Sequence, residues 1–180
     1  MEDFKLIKLK KYSDNRGFFM ESFNRDVEME VNERFVQDNC SYSKKNVIRG
    51  MHYQWGKPMG KLVFCPYGEV MDVIVDIRKS SANLGKAYYF LLSSDNENAL
   101  WVPPGFAHGF QVMSNEAIVT YKCSSYYNSN GESGINPFDN DLNILWNHQE
   151  CSIKGISRSI VSEKDIGAQS FEDYCKDFKF

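Results

Sequence analysis

Histidine is scarce in this chain, and nowhere do apolar residues run on for long. Three histidines occur in 180 residues. No apolar stretch approaches the ~18 residues a membrane helix needs, which argues against a membrane partner. Basic residues do not gather into a stripe, and the formal net charge is −3. The one small cluster, Lys8, Lys10 and Lys11, reads as solvated surface, so no nucleic-acid partner is expected. The charged start, Met1-Glu-Asp-Phe-Lys, lacks the apolar centre of a signal peptide. Cysteine is sparse and odd in number: Cys40, Cys65, Cys123, Cys151 and Cys175. Without a Cys-x-x-Cys pair, neither a disulfide framework nor a structural zinc site is implied, and a reduced, cytoplasmic setting fits. Each cysteine reads as a small packing residue. Only Cys40 stands in a context suggestive of reactivity. No nucleophile elbow, dinucleotide fingerprint or P-loop occurs, which removes the commonest hydrolase, Rossmann and ATP-binding signatures.

What the chain has instead is a succession of short, punctuated strands. Lys61 to Tyr67 reads as one, with a turn at Gly68. Glu69 to Ile77 alternates: Met71, Val73, Val75 and Ile77 fall on one face, and Val70, Asp72, Ile74 and Asp76 on the other. This predicts a half-buried strand. Ala87 to Leu92 and Ala99 to Val102 follow, separated by loops at Ser80–Gly85 and Ser93–Asn98. Gly109 to Met113 and Ala117 to Cys123 are expected to pair as a hairpin. Asn128 to Gly134 reads as a polar loop. Helix is expected only over Asp26–Arg34 and in the tail after Ser170, with that serine as cap. The size suits one domain, residues 1–180. Strands at spacings of about ten residues, with Gly, Pro and Asn turns, predict an all-β antiparallel sandwich or barrel whose open end forms a pocket.

Two of the histidines sit where chemistry is expected. His52 lies in Val47-Ile-Arg-Gly-Met-His-Tyr-Gln54, with Lys61 shortly after it. An imidazole base among fixed cations suits proton abstraction beside a carbonyl, the cations holding the enolate oxygen. Regular alternation would point Arg49 and Met51 one way and Gly50 and His52 the other. The bland alternative for His52 is a buried histidine with a satisfied ring. His108, in Pro103-Pro-Gly-Phe-Ala-His-Gly-Phe110, is equally compatible with a structural or a catalytic role. His148 reads as surface. A metal is weakly signalled, because Gly50 and Gln54 deny His52 a His-x-His partner. Tyr121, Tyr126 and Tyr127 are the candidate acids, each also explicable as packing.

These segments together resemble the dTDP-4-dehydrorhamnose 3,5-epimerase family of cupin-type sugar-nucleotide epimerases. The similarity runs from about Asp14 to Asp165. It is carried by Asp14-Asn-Arg-Gly-Phe-Phe-Met-Glu-Ser-Phe23, Phe35-Val-Gln-Asp-Asn-Cys-Ser-Tyr-Ser43, Ile48 to Gln54, Gly60-Lys-Leu-Val63, Gly68 to Arg78, Leu100 to Phe110, Tyr121 to Tyr127 and Ser162-Glu-Lys-Asp165. The resemblance implies a cupin jelly roll with a few short peripheral helices, with no cofactor and no metal. It implies a homodimer in which roughly the first 45 residues serve the partner's site. It implies a nucleoside-diphosphate 4-keto-6-deoxy sugar as substrate, inverted at C3, C5 or both in the making of bacterial surface polysaccharide.

By the same resemblance His52 is the general base, Asp165 orients its ring, Lys61 holds the enolate oxygen and Tyr121 is the acid on the opposite face. Arg49, His108 and Tyr127 line the sugar-diphosphate pocket, Arg16 contacts the diphosphate, and Phe19, Glu21, Gln37 and Asn39 serve the nucleotide end. Nothing in the local sequence of Asp165 distinguishes it from a surface carboxylate. The chain departs from the family at Phe64, where an arginine usually stands. The nucleotide therefore stays open between dTDP-hexose and GDP-heptose, the latter a branch leading to capsular polysaccharide. A 3,4-ketoisomerase, a non-catalytic sugar-binding cupin and a metal-dependent cupin are the competing readings.

Overall fold

The computed structural model describes residues 4–146 and 159–180. His148, Cys151 and the charged residues at positions 1–3 lie outside the described residues. The described chain is mostly strand. One sheet takes the order β1 (Lys5–Lys8), β9 (Asn98–Val102), β6 (Lys61–Tyr67), β11 (Glu116–Cys123), β4 (Gln37–Lys44). The other runs β12 (Glu132–Gly134), β5 (Ile48–Gln54), β10 (Phe106–Val112), β7 (Glu69–Asp76), β8 (Ala87–Ser93). All these pairings are antiparallel. The expected jelly roll is what forms.

Between the sheets lies a core built from Val63, Cys65, Val70, Ile74, Leu100, Phe106, Phe110, Val112, Ala117 and Val119. Two further clusters cover the outer faces. Met51, Tyr53, Val73, Val75 and Ile77 pack under the carboxy-terminal residues Ile144, Trp146 and Tyr174. Leu62, Ala99 and Trp101 pack under Val27 and Val31 of α1 (Arg25–Val31).

This double covering corrects one expectation. β7 is not half-buried, because Val70, Val73, Ile74 and Val75 are all fully enclosed. One face meets the inter-sheet core and the other meets the carboxy-terminal cover, so alternation separates two interiors rather than interior from water. The hairpin expectation is also overturned. β10 pairs with β5 and β7, while β11 pairs with β4 and β6. The chain at Ser114–Asn115 crosses from one sheet to the other. The segment Asn128–Gly134 is not wholly loop, since β12 adds an edge strand to β5.

Both expected helices form, as α1 and α3 (Phe171–Lys176), the latter capped by Ser170. A third, α2 (Glu163–Ile166), was not anticipated. The segment before it is fixed to the start of β5, where the Ile48 N–H donates to the Ile160 carbonyl at 2.9 Å and the Ile160 N–H to the Asn46 carbonyl at 3.0 Å. Among the cysteines, Cys65 and Cys123 are buried as packing residues, but Cys40 is exposed on the outer face of β4. β2 (Lys10–Asp14) and β3 (Gly17–Glu21) pair only with each other and stand off as a separate hairpin. Its base is tied down by Lys11, whose Nζ donates to the Ser94 carbonyl at 3.0 Å.

One contact sets the geometry of the strand that matters most. β5 and β10 approach so closely that a Cβ on Gly50 would lie 2.6 Å from the Gly109 Cα and 2.8 Å from the His108 carbonyl oxygen. Gly50 also has φ +122°, which side-chain-bearing residues avoid. The ladder slips between His108 and Phe110 at the same place.

Gly50→Ala is therefore expected to lower the free energy of unfolding by more than about 3 kcal/mol, combining backbone strain with a backbone clash. Gly17, with φ +131°, has nothing within 4 Å of a built Cβ. Gly17→Ala should cost about 1 kcal/mol, from strain alone. Urea unfolding of the two variants checks this, and equal losses would mean that the close approach is not the constraint.

Candidate active site

The slip at Gly50 gives the first departure from simple alternation. Ile48 and Met51 turn into the same outer core, while Arg49 and His52 both line one cavity between the sheets. The cavity measures about 520 Å³. β5 and β10 supply Arg49, His52 and His108 from one side, and β6 and β11 supply Lys61 and Tyr121 from the other. Asp165, on α2, closes one flank.

His52 Nε2 lies 2.7 Å from Asp165 Oδ1. Its ring is partly exposed while the carboxylate is buried. The Gly50 N–H donates to Asp165 Oδ2 at 3.3 Å. The Asp165 N–H in turn donates to the Ser162 Oγ at 3.1 Å, the capping bond of α2. Burial pushes the Asp165 carboxyl up, but the His52 ring, the Gly50 N–H and Ser162 together bring it below the ordinary aspartate value. It is thus an anion beside the imidazole. A neutral His52 donates its Nε2–H to Asp165, which leaves the Nδ1 lone pair as the basic position.

A second pair mirrors the first. His108 stands directly opposite His52 across β5 and β10. Its Nε2 lies 3.0 and 2.9 Å from the two oxygens of Asp72, both residues being buried. Asp72 answers a question the sequence poses, namely what a carboxylate does in a run of aliphatic residues.

Lys61 faces the cavity at the start of β6. Burial lowers its ammonium from the ordinary lysine value, opposed by Cys123, Asp72 and Glu132. Its Nζ is 5.7 Å from the centroid of the Tyr121 ring. Burial raises the Tyr121 phenol and Cys123 adds to this, while Asn39 and Arg49 act against it. The phenol is therefore protonated at neutral pH and able to give a proton. The Arg49 guanidinium is held by β4, donating from Nε to Ser43 Oγ at 3.0 Å and from Nη2 to the Tyr42 carbonyl at 3.3 Å.

The other expected residues lie elsewhere. Arg16 sits at the tip of the separate hairpin, with Nε donating to Asp14 Oδ2 at 3.1 Å. Phe19, mostly exposed, stacks on Tyr12 with centroids 6.4 Å apart. Glu21 accepts from Asn24 Nδ2 at 3.2 Å. None of the three lines this cavity. Gln37 and Asn39 bond to each other, Gln37 Nε2 donating to Asn39 Oδ1 at 3.0 Å. Tyr127 is exposed, and its hydroxyl donates to Glu132 Oε2 at 3.1 Å.

One cavity residue escaped the sequence. Lys164 lines the cavity and pairs with Glu132 at 3.0 Å. Asp165, which only the resemblance named, is buried. Phe64, the departure noted above, packs with the outer-face cluster and does not line the cavity. Among the described residues, no group of three or more His, Cys, Asp or Glu side chains could hold a metal ion.

A family model described as dTDP-4-dehydrorhamnose 3,5-epimerase matches residues 1–173. The chain is 48% identical over 168 residues to the dTDP-4-dehydrorhamnose 3,5-epimerase of Shigella flexneri, covering 91% of this chain and 88% of that one. It resembles the crystal structure of dTDP-6-deoxy-D-glucose-3,5-epimerase from Legionella pneumophila in complex with dTDP-4-keto-L-rhamnose, with a TM-score of 0.86, 41% identity, and coverage of 96% and 89%. The 3'-monoepimerase of Streptomyces bikiniensis in complex with dTDP-quinovose is also similar, with a TM-score of 0.86, 25% identity, and coverage of 97% and 87%.

The Asp165 carboxyl is depressed in the folded chain, so its contribution to stability exists above the unfolded aspartate value and fades as pH falls through the folded one. In urea unfolding, the stability difference between wild type and Asp165→Asn at pH 5 should shrink as the pH drops below 3.8, the ordinary value. A difference that stays constant down to acid pH would mean that Asp165 is not held as the anion.

Proposed function

Because the chain belongs to the dTDP-4-dehydrorhamnose 3,5-epimerase family, we propose that His52 and Tyr121 are the base and acid of its reaction and that its substrate is a dTDP-linked hexose. The chain is an isomerase that inverts carbons flanking the ketone of a nucleoside-diphosphate 4-keto-6-deoxy sugar. The observation that carries the assignment of roles is the division of groups between the sheets. The His52–Asp165 pair comes from one wall of the cavity, and Tyr121, with Lys61 beside it, from the other.

A sugar held between these walls presents one face to the imidazole and the other to the phenol. His52 Nδ1 takes the proton from the carbon beside the C4 ketone. The pair of electrons left behind flows into the ketone as an enolate, and Lys61 meets the charge on oxygen in a buried setting where an ammonium counts for most. Asp165 offsets the positive charge gained by His52. Tyr121 then protonates the same carbon from the other side. Arg49 and His108 hold the sugar and its first phosphate. Repeating the cycle at the carbon across the ketone gives the second inversion.

The nucleotide is assigned as dTDP because the relatives described above are named for dTDP sugars. The departure at Phe64, turned away from the cavity, gives no ground for another base. Arg16, Phe19 and Glu21 act in a homodimer, each hairpin serving the partner's cavity. Two features support this: the hairpin pairs with no strand of its own protomer, and its Tyr12, Phe18 and Phe19 are left exposed.

Incubation in D2O with dTDP-4-keto-6-deoxy-glucose, and in parallel with a GDP-4-keto-6-deoxy-heptose, tests this directly. Deuterium is expected at C3 and C5 of the dTDP sugar. Label in the GDP sugar alone would overturn the nucleotide assignment, and label at C3 alone would make the chain a single-centre epimerase. His52→Asn should cut incorporation at least about a thousandfold. Tyr121→Phe should slow inversion more than exchange, since a deuteron can still return from the imidazole side with retention.

A further inference from the structure

We propose that Gln54 is a positioning residue for substrate binding: its one buried amide holds the backbone on both sides of Tyr127, so that the exposed Tyr127 ring stands fixed at the rim of the cavity. This deepens the function assigned above and rests on Tyr127 being a contact of the bound nucleoside-diphosphate sugar.

Gln54 ends β5, two residues after His52, so both side chains fall on the same side of the strand. It is buried, and a buried amide must find partners. The Asn128 N–H donates to its Oε1 at 2.9 Å. Its Nε2 donates to the Lys57 carbonyl at 2.7 Å and to the Tyr126 carbonyl at 3.2 Å. A backbone N–H cannot accept and a carbonyl cannot donate. The amide therefore has one possible orientation, and both hydrogens of Nε2 are used.

Two of these three partners flank Tyr127. The Tyr126 carbonyl belongs to the peptide group before it, and the Asn128 N–H to the one after it. The Tyr127 N–H, in the first of these groups, donates to Gln37 Oε1 at 3.1 Å. Both peptide planes that set the backbone of Tyr127 are thus pinned by side chains from β4 and β5. At the far end the Tyr127 hydroxyl donates to Glu132 Oε2 at 3.1 Å, and Glu132 is the cross-strand partner of Gln54 on β12. Glu132 also pairs at 3.0 Å with Lys164, which lines the cavity. Tyr127 is held at its backbone and at its tip beside the cavity, yet 59% of its surface stays open.

This anchoring has a purpose in binding. Residues 124–131, between β11 and β12, form neither helix nor strand. A ring carried on such a segment and left in water gains little by keeping one position, and a substrate that met it loose would have to order it. A ring already fixed spares the substrate that cost. The third partner, the Lys57 carbonyl, lies in the loop leading to Lys61. That loop has a tie of its own: the Gly60 N–H donates to Ser124 Oγ at 2.8 Å, and the Ser124 N–H to the Gly60 carbonyl at 3.0 Å. Lys61 keeps its place without Gln54, so losing the amide weakens binding rather than chemistry.

Gln54→Glu keeps the acceptor for Asn128 but sets a carboxylate against two carbonyls. Gln54→Met keeps the length and removes all three bonds. With dTDP-4-keto-6-deoxy-glucose, both variants should raise KM at least about tenfold and leave kcat for C–H exchange in D2O within about threefold of wild type. Tyr127→Ala should raise KM by at least as much. In a Tyr127→Ala background, neither Gln54 substitution should raise KM more than about twofold further. Gln54→Glu, nearly identical in shape to the wild type, carries the test if Gln54→Met does not fold. An unchanged KM, a fall in kcat at unchanged KM, or a full rise in KM in the Tyr127→Ala background would each overturn the role. If Tyr127→Ala itself leaves KM at its wild-type value, the placing of Tyr127 against the substrate fails first and the role of Gln54 falls with it. His52 and Tyr121 are judged separately, by exchange and inversion in their own variants.

Discussion

Everything at the catalytic end depends on how closely β5 and β10 approach each other. Two residues without side chains, Gly50 and Gly109, meet where any Cβ would strike backbone. The slip in register there lets Arg49 and His52 point into one cavity although they are an odd number of residues apart. It places His52 opposite His108. It also frees the Gly50 N–H to hold the second oxygen of Asp165 while the first meets the imidazole. His52, the Asp165 carboxylate bonded to it and the Arg49 guanidinium thus share one cause, a backbone contact that side chains would forbid.

The two walls of the cavity use burial for opposite ends. On the wall formed by β6 and β11, burial lowers the Lys61 ammonium and raises the Tyr121 phenol. The first becomes a readier hydrogen-bond donor to an enolate, and the second keeps its proton until the carbon needs it. On the facing wall, burial would push Asp165 toward its neutral form, and three donors overcome it. For the carboxylate the partners outweigh burial, whereas for the phenol burial outweighs the opposing Asn39 and Arg49.

The sequence revealed the strands and the chemistry near His52, but not how distant segments meet. Alternation located β7, and turn residues with branched and aromatic runs located β6, β8 and β9, almost to the residue, because these are local properties. It could not tell that β10 and β11 belong to different sheets, since each strand is correctly patterned for either. It misjudged the burial of β7, because an outer face covered by a carboxy-terminal tail looks, in sequence, like any second apolar face. Asp165 was invisible for a similar reason. It lies 113 residues from His52, and long-range ties such as Ile160 at the start of β5 and Asn136 on the Ile166 carbonyl bring it there. The resemblance to a known family named Asp165, while the physics of its burial and bonding emerged only in three dimensions. Asp72 was the most legible of the missed groups, an acid in an aliphatic strand that had to have a partner.

Two inversions at this site would need no second catalytic set. Among the described groups lining the cavity, His108 is the other imidazole, and both oxygens of Asp72 engage its Nε2. It stands beside His52 on the same wall, so it could not return a proton to the face opposite the base. With His52 as the proposed base and Tyr121 as the proposed acid on facing walls, one pair would serve each carbon in turn. On that proposal the sugar turns between the two events to bring the second C–H to His52. On the proposed mechanism, stopping after one centre requires only that the sugar be kept from turning. This fits the same fold being found in a 3'-monoepimerase and in 3,5-epimerases.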